Sequence, residues 1–340
     1  MKALVYYGSR DMRLLELENP VSSDDEVLLR VKACGICGSD VHGYMGITGR
    51  RIPPMIMGHE FTGIAQVTGK KTFRVKPGDR VVVQPVIFCG QCRFCAEGLT
   101  NMCTNKRFLG VMDTDGAMRE YLCVPEKLVY ILPDSLSFIQ GAMVEPLAVA
   151  LRAVKKLPPL SGRNLLIIGA GTRGLLVLQL ARLQDPDKII VSDLSSFRLA
   201  IAKTLGADVV INPSCDCIES IIMRETQGKG ADAAIEAVGV SATVQQAMSC
   251  LTNGGTCVWI GNSAKIIQLD MQEAVTRELN VKGTYIYTAG EFKDAMDILS
   301  SGLVSTEPVI TEITSIEEGV ETFLKLSEGA EEMIKVVMTI

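Results

Sequence analysis

Four cysteines lie close enough in the sequence to hold one metal ion together. They are Cys89, Cys92, Cys95 and Cys103, with the spacing C-x2-C-x2-C-x7-C. Four thiolates on a short loop can close a tetrahedral shell around zinc and leave no position for a substrate, as in structural zinc sites. An iron–sulfur cluster is the main alternative because ferredoxins use similar spacings. The longer last gap favours zinc.

A second group of metal-ligand residues is dispersed along the chain. The two histidines, His42 and His59, both lie near Cys37 in the sequence. Glu60 follows His59 directly, and Glu145 stands in an apolar stretch where an unpaired carboxylate would be costly. One Cys, one His and one carboxylate leave a fourth position open for water or substrate, as in catalytic zinc sites. The sequence therefore predicts a catalytic metal site as well.

A glycine-rich turn between a predicted strand and a predicted helix is suited to bind a dinucleotide. Gly169, Gly171 and Gly174 form the pattern G-x-G-x-x-G directly after the apolar run 165–168. Such glycines allow a tight turn, close approach of a pyrophosphate and close packing of helix on strand. The next predicted strand ends at Asp193, whose carboxylate could bind both ribose hydroxyls of NAD and would repel the 2′-phosphate of NADP. This pattern favours NAD.

The elements that must position these residues differ between the two parts of the chain. The first 150 residues have the short strands and turns of a β-rich region. From residue 164, apolar runs alternate with helical stretches, which predicts a parallel sheet of the α/β class with an edge at 284–287. A helix over 291–299 and a strand over 334–338 are predicted to end the chain.

Composition excludes several classes of function. The chain has 340 residues and a formal net charge of −5, which disfavours nucleic acid or an anionic membrane as partner. The N-terminus lacks the pattern of a signal peptide, and no apolar run is long enough to span a bilayer, so a cytoplasmic protein is expected. The remaining six cysteines are predicted to be small core residues: Cys34, Cys123, Cys215, Cys217, Cys250 and Cys257.

In combination, these motifs resemble the zinc-containing medium-chain dehydrogenase/reductase family, and within it the polyol branch of the sorbitol dehydrogenase type. The resemblance is carried by G-I-C-G-S-D-V-H at 35–42, G-H-E-F-T-G at 58–63, the four-cysteine segment, E-P-L-A-V at 145–149, G-A-G-T-R-G at 169–174 and Asp193. It implies a GroES-like catalytic domain over 1–152 with a structural zinc lobe, a Rossmann NAD-binding domain over 153–288, and a return to the catalytic domain over 289–340.

The resemblance also implies roles for individual residues. Catalytic zinc is expected on Cys37, His59 and Glu60, with Glu145 as an alternative or water-mediated ligand, and a second zinc on the four cysteines. Asp40 is expected to support His59. Ser39 would take the substrate proton and pass it, through the nicotinamide ribose, to His42. The implied NAD-binding residues are Gly169, Gly171, Thr172, Arg173, Gly174, Asp193, Arg198, Val238 and Ile260.

The implied function is oxidation of a secondary alcohol, with a polyol or polyol phosphate as substrate, because Glu145 stands where the alcohol dehydrogenase branch has a cysteine. Arg173 departs from the aliphatic residue usual in the family, and with Arg50 and Arg51 it makes a phosphorylated or acidic polyol worth testing. The alternatives are a threonine- or butanediol-type dehydrogenase, a non-catalytic NAD- and zinc-binding relative, and a thiol-based metal carrier. A homodimer or homotetramer is expected.

Overall fold

A computed structural model describes residues 1–330 and 332–340 of the chain. The chain forms two compact units. The first unit combines Met1–Glu145 with Tyr287–Ile340, and the second is Pro146–Ile286. Both ends of the chain therefore belong to one unit, and the second unit is formed by a single continuous segment.

The strands and helices of the described residues are as follows. The strands are β1 (Lys2–Gly8), β2 (Asp11–Glu16), β3 (Glu26–Ile36), β4 (Met55–Ile56), β5 (Glu60–Thr68), β6 (Arg80–Val83), β7 (Val86–Ile87), β8 (Arg107–Phe108), β9 (Tyr121–Pro125), β10 (Val129–Ile131), β11 (Asn164–Ile168), β12 (Lys188–Ser192), β13 (Val209–Ile211), β14 (Ala231–Glu236), β15 (Leu251–Trp259), β16 (Asn280–Gly283), β17 (Ile310–Ser315) and β18 (Lys335–Thr339). The helices are α1 (Gly38–Tyr44), α2 (Arg93–Ala96), α3 (Phe138–Gly141), α4 (Val144–Val154), α5 (Thr172–Arg182), α6 (Ser196–Thr204), α7 (Ile218–Glu225), α8 (Ser241–Ser249), α9 (Met271–Thr276), α10 (Ala289–Ser300) and α11 (Gly319–Ser327).

The main sheet of the first unit is built around β3. Its strand order is β10-β6-β5-β3-β18-β17, and β9 also pairs with β3. Along β3, the buried residues Val27, Leu29 and Val31 alternate with the less buried Leu28 and Arg30, as expected for a strand with one face in the core. At its other end β3 pairs with β5 and β18, so the C-terminal strand lies beside the residues that lead into Cys37.

The second unit is organised by one parallel sheet. Its strand order is β13-β12-β11-β14-β15-β16. All neighbouring strands are parallel, and the order in which the chain adds strands reverses between β11 and β14. Residues 165–168 and 189–191 are almost completely buried, because helices cover both faces of a sheet of this kind. This is the doubly wound dinucleotide-binding topology, and the expected α/β fold class is confirmed.

The prediction that residues 284–287 form the edge of this sheet was wrong. The edge strand is β16, at Asn280–Gly283, and residues 284–287 lie outside any strand. Ile286 has a φ of +45°, which is incompatible with an extended strand, and Tyr287 is fully buried. The apolar run 284–287 is thus the connection back to the first unit.

The prediction for the six isolated cysteines was only partly right. Cys34, Cys250 and Cys257 are buried, and Cys123 is half-buried. Cys215 and Cys217 are exposed, because they lie in the turn between β13 and α7. The segment around them, Asn-Pro-Ser-Cys-Asp-Cys at 212–217, is polar and carries an Asn-Pro turn signal that the prediction overlooked. Among the residues that the model describes, no helix has the length and apolar character needed to cross a membrane.

The C-terminal return segment is held to the first unit by an aromatic contact. The Phe323 ring of α11 is fully buried and lies 5.5 Å, centroid to centroid, from the ring of Tyr44 in α1. We expect Phe323→Ala to lower the free energy of unfolding by about 3–5 kcal/mol, because it leaves a cavity. Urea denaturation followed by circular dichroism would measure it. Leu324→Ala is the control, since Leu324 is 42% exposed, and an equal effect of both variants would contradict this packing.

Candidate metal centres and dinucleotide site

Cys37 is placed by the start of α1. It is the N-cap residue, and its sulfur accepts a hydrogen bond from the Ser39 backbone N–H at 3.5 Å. The Asp40 carboxylate accepts in turn from the Cys37 backbone N–H at 3.1 Å. This reciprocal capping satisfies two N–H groups that the helix itself cannot pair. It also fixes the thiol at the end of β3.

The structure brings Cys37, His59 and Glu60 together. Their ligand atoms lie within 4.8 Å of one another, and all three residues are buried. His59 and Glu60 stand at the start of β5, which pairs with the end of β3, where Glu60 lies opposite Gly35. One thiol, one imidazole and one carboxylate at this separation can hold a single zinc ion and leave a fourth position open.

A chain of buried charges supports His59. Its Nδ1 atom lies 3.5 Å from Oδ1 of Asp40, and the same oxygen accepts from the Arg51 guanidinium at 2.7 Å. Burial alone would raise the pKa of Asp40, but the charges of His59 and Arg51 outweigh burial and hold it well below its usual range. Burial lowers the pKa of His59, whereas Asp40 and Cys37 together raise it well above its ordinary value.

Lys335 holds Glu60 from the other side. Its ammonium donates to Oε2 of Glu60 at 2.6 Å and to the carbonyl of Ile36 at 3.0 Å, and both charged side chains are about 98% buried (2% and 1% exposed). Burial lowers the pKa of Lys335, but Glu60 and Cys37 raise it above its ordinary value, so the lysine stays charged. A buried carboxylate paired in this way is oriented before any metal binds.

Glu145 lies beside this group but outside the set of three. Burial raises its pKa to about 8, and the nearby charges of Glu60 and Cys37 raise it as well, whereas His59 lowers it. The Tyr287 side chain, which is fully buried, interacts with the same carboxyl. Burial is the main reason that the anionic form of Glu145 is disfavoured, and the acidic neighbours Glu60 and Cys37 add to it.

The donor set fits a divalent cation. Cys37, Glu60 and Glu145 are acidic groups that converge in a buried space, and Lys335 supplies only one positive charge to them, on Glu60. A zinc ion there would bind the thiolate and the imidazole, and would lower the cost of ionising the carboxylates. The residues present therefore suit catalytic zinc.

The four-cysteine segment has the dimensions of a mononuclear site. The sulfur of Cys89 lies 3.9 Å from that of Cys95 and 3.5 Å from that of Cys103, and the Cys92 and Cys95 sulfurs are 3.5 Å apart. A tetrahedral site with Zn–S bonds of about 2.3 Å has sulfurs about 3.8 Å apart. In a 4Fe–4S cluster each thiolate binds a different iron, and in a 2Fe–2S cluster the four thiolates are shared between two irons, so thiolates on different irons lie further apart than this. The separations favour zinc over a cluster.

Ser39 and His42 lie on the same side of α1. They are three residues apart, which places side chains on neighbouring turns of one helix face. Both are half-buried. The Ser39 hydroxyl accepts from the Arg51 guanidinium at 3.4 Å. The structure thus places the serine next to Cys37 and the histidine one turn further along the helix, an arrangement consistent with the predicted proton path.

The glycine-rich turn has the geometry that its spacing predicts. Gly169 has a φ of +98°, and Gly171 is the N-cap residue of α5. A Cβ at Gly174 would collide with the carbonyl oxygen of Gly169, whereas a Cβ at Gly171 would meet no atom within 4 Å. Gly174 is therefore required for packing within the unit, and Gly171 leaves an open surface at the helix N-terminus for a phosphate.

Asp193 lies beside this turn. One carboxylate oxygen accepts from the Ala170 backbone N–H at 2.7 Å, and the other accepts from that of Ser195 at 2.9 Å. The side chain therefore fixes the glycine turn to the end of β12. Each carboxylate oxygen has a second lone pair for a further donor, such as a ribose hydroxyl.

The other predicted cofactor residues lie near the carboxyl ends of the same parallel strands. Arg173 donates to the Ile260 carbonyl at 3.3 Å, across the ends of β11 and β15. Val238 lies against Gly169 just after β14. Arg198 stands in the first turn of α6, where its backbone N–H is bound by the Ser195 hydroxyl at 3.4 Å. Thr172 is the first residue of α5.

Sequence reasoning missed three residues of the metal site. Lys335 could have been noticed, because a single lysine in the apolar strand 334–338 is unusual. Tyr287 was assigned to a sheet edge, and Arg51 was considered only as a contact for substrate phosphate.

Comparison with known proteins agrees with this geometry. Residues 23–134 match the alcohol dehydrogenase GroES-like domain, and residues 174–301 match the zinc-binding dehydrogenase family. The chain is 34% identical to the sorbitol dehydrogenase of Bacillus subtilis (strain 168), over 99% of this chain and 97% of that enzyme.

Solved structures show the same similarity. The galactitol-1-phosphate dehydrogenase of Escherichia coli is 28% identical, with a TM-score of 0.92 over 100% of both chains. A structure from Sinorhizobium meliloti 1021 with NADP bound is 31% identical, with a TM-score of 0.92 over 100% of this chain and 99% of that one. The expected family is confirmed: the chain belongs to the zinc-type medium-chain dehydrogenases, in their polyol branch.

Proposed function

We propose that this enzyme oxidises a secondary alcohol of the polyol class, with zinc in the Cys37, His59 and Glu60 site and NAD as hydride acceptor. The observation that carries the proposal is the buried set of three ligand groups, which leaves one position of a tetrahedral zinc site for substrate. The names of the sorbitol and galactitol-1-phosphate dehydrogenases similar to this chain support the substrate class.

In this proposal Glu60 is the carboxylate ligand and Glu145 acts through water or substrate. Glu60 is one of the three groups within 4.8 Å of one another, and Lys335 holds its orientation. Glu145 is not in that set. The structural zinc is assigned to Cys89, Cys92, Cys95 and Cys103. The cysteines are free thiols, which fits a reducing, cytoplasmic location.

Zinc supplies Lewis-acid polarisation of the substrate hydroxyl, which lowers the pKa of that hydroxyl. Side chains of the protein would then transfer the proton of that hydroxyl. Ser39, two residues after Cys37, would accept it while its own hydroxyl proton is passed on toward His42, and His42 would release a proton to solvent because an imidazole changes charge near neutral pH. Arg51 already donates to the Ser39 oxygen, so the serine's own hydrogen is free to point elsewhere.

Arg50 and Arg173 are better candidates than Arg51 for contact with a substrate phosphate. Arg51 is 94% buried and committed to Asp40, so it is a poor partner for a substrate phosphate. Arg50 is exposed, and Arg173 reaches the end of β15. A polyol is the simpler assignment, and a polyol phosphate is kept as a second candidate because a galactitol-1-phosphate dehydrogenase has this fold.

The assembly is proposed to be a homodimer or homotetramer. Among the described strands, β16 is paired only with β15, and all of its residues are exposed. An exposed strand edge of this kind can pair with the same edge of a second copy about a two-fold axis.

The direct test is NADH formation by the zinc-loaded enzyme on a panel of polyols, polyol phosphates, butanediols and threonine. We expect turnover of polyols. Cys37→Ser should reduce the rate by about a thousandfold or more, because zinc contributes several kcal/mol of transition-state stabilisation.

The matched control is Cys123→Ser, a half-buried cysteine outside both metal sites, which should keep the wild-type rate. Faster turnover of threonine or a butanediol than of any polyol would reject the proposed substrate class. Equal turnover of a polyol and its phosphate ester would count against phosphate recognition. An unchanged rate in Cys37→Ser would reject the zinc mechanism.

The cofactor assignment is tested at Asp193. We expect the enzyme to have a higher kcat/KM with NAD than with NADP, because the carboxylate binds ribose hydroxyls and repels a 2′-phosphate. Asp193→Asn should reduce this preference about ten- to a hundredfold, which corresponds to about 1.4–2.8 kcal/mol. Damage to the glycine turn alone would lower both values and leave their ratio unchanged. A wild-type enzyme that prefers NADP would show the NAD assignment to be wrong.

A further inference from the structure

Arg51 is a buried arginine that contacts neither a proposed zinc ligand nor, in the scheme above, the substrate directly. Its side chain is 2% exposed, as compared with the exposed side chain of its neighbour Arg50. Burying a guanidinium is costly unless it is paired and hydrogen-bonded. The contacts of the Arg51 guanidinium must therefore offset the cost of burying it.

The contacts of Arg51 lead to the metal site. Its Nη2 atom donates to Oδ1 of Asp40 at 2.7 Å and lies 3.4 Å from the Ser39 hydroxyl oxygen. Its Nη1 atom donates to the Arg50 carbonyl at 3.1 Å. Asp40 in turn accepts from the Cys37 backbone and faces Nδ1 of His59. One guanidinium thus reaches, through one carboxylate, two of the three groups proposed to bind zinc.

The helix leaves room for this arginine. A Cβ at Gly43, in the last turn of α1, would lie 2.6 Å from Cγ of Arg51. The aliphatic part of the arginine therefore passes over a position where a side chain is absent. This close approach gives a second way to displace Arg51 without removing its charge.

We propose that Arg51 is a positioning residue for catalytic zinc and for Ser39. Its guanidinium donates to Oδ1 of Asp40 at 2.7 Å and so fixes the orientation of that carboxyl group. Asp40, whose Oδ1 lies 3.5 Å from Nδ1 of His59, then faces that nitrogen and leaves Nε2 to bind the metal, as partners of ligating imidazoles generally do. The same Nη2 atom binds the Ser39 oxygen and fixes that hydroxyl beside Cys37.

This inference rests on the proposed zinc site but not on the proposed substrate. It is therefore tested without substrate or NAD. The affinity of the catalytic site for zinc is measured by competition with a chelator, and the visible absorption of cobalt bound at that site reports its ligand geometry. The four-cysteine zinc serves as an internal reference, and near-UV circular dichroism reports folding.

We expect Arg51→Gln to weaken zinc binding at the catalytic site about 10- to 100-fold, in the range seen when partners of metal ligands are lost, and to change the cobalt spectrum. Arg51→Lys should lose less, because an ammonium restores the charge but not the two-pronged contact. Gly43→Ala should weaken zinc binding as Arg51→Gln does. Arg50→Gln, the matched control at the exposed neighbour, should keep the wild-type zinc affinity.

Wild-type zinc affinity and an unchanged cobalt spectrum in folded Arg51→Gln would overturn the proposal. If Arg51→Gln does not fold, wild-type values in both Arg51→Lys and Gly43→Ala would overturn it instead. Weakened zinc binding in a protein that oxidises none of the alcohols would support this inference while the proposed substrate class fails. The two conclusions are thus separable.

Discussion

The structure of the first unit depends on one constraint: charged and titratable side chains are buried together around Cys37, His59 and Glu60. Burial of charge is tolerated only when each group has a partner. Lys335 pairs with Glu60, and Arg51 pairs with Asp40. Each partner comes from a different part of the chain, so the fold must return its last strand to the sheet that carries its first metal ligand. Pairing of β18 with β3 brings Lys335 to Glu60 in this discontinuous unit.

The second unit is built around apolar strands and not around buried charges. A parallel sheet buries apolar strands on both faces, and its polar residues are left at the strand ends. Gly171 and Asp193 lie at this edge, where backbone N–H groups and a carboxylate meet. The chemistry of each unit is thus distinct: one carries buried acids and bases suited to a metal, and the other carries an open helix terminus suited to a pyrophosphate.

Local patterns in the sequence predicted what depends on spacing. The glycine turn, the four-cysteine segment and strands such as β3 are encoded by residues that are close together, so their geometry could be inferred. The partners of Lys335 and Arg51 could not be predicted. Glu60 is distant from Lys335 in the sequence, and no local pattern indicates that Arg51 is buried against Asp40. The error at 284–287 has a similar origin, since an apolar run fits both a strand and a buried connection. Exposure of Cys215 and Cys217 could have been predicted, because the Asn-Pro-Ser segment at 212–214 signals a turn.

We expect the chain to bind two zinc ions in separate sites, and native mass spectrometry can count them. The wild-type protein should carry two zinc ions, and each of two variants should carry one. Cys37→Ser should lose the catalytic ion and keep the structural one, whereas Cys95→Ser should lose the ion of the four-cysteine segment. Two zinc ions in folded Cys37→Ser, or a single ion in the wild-type protein after zinc loading, would show that the two sites are wrongly assigned.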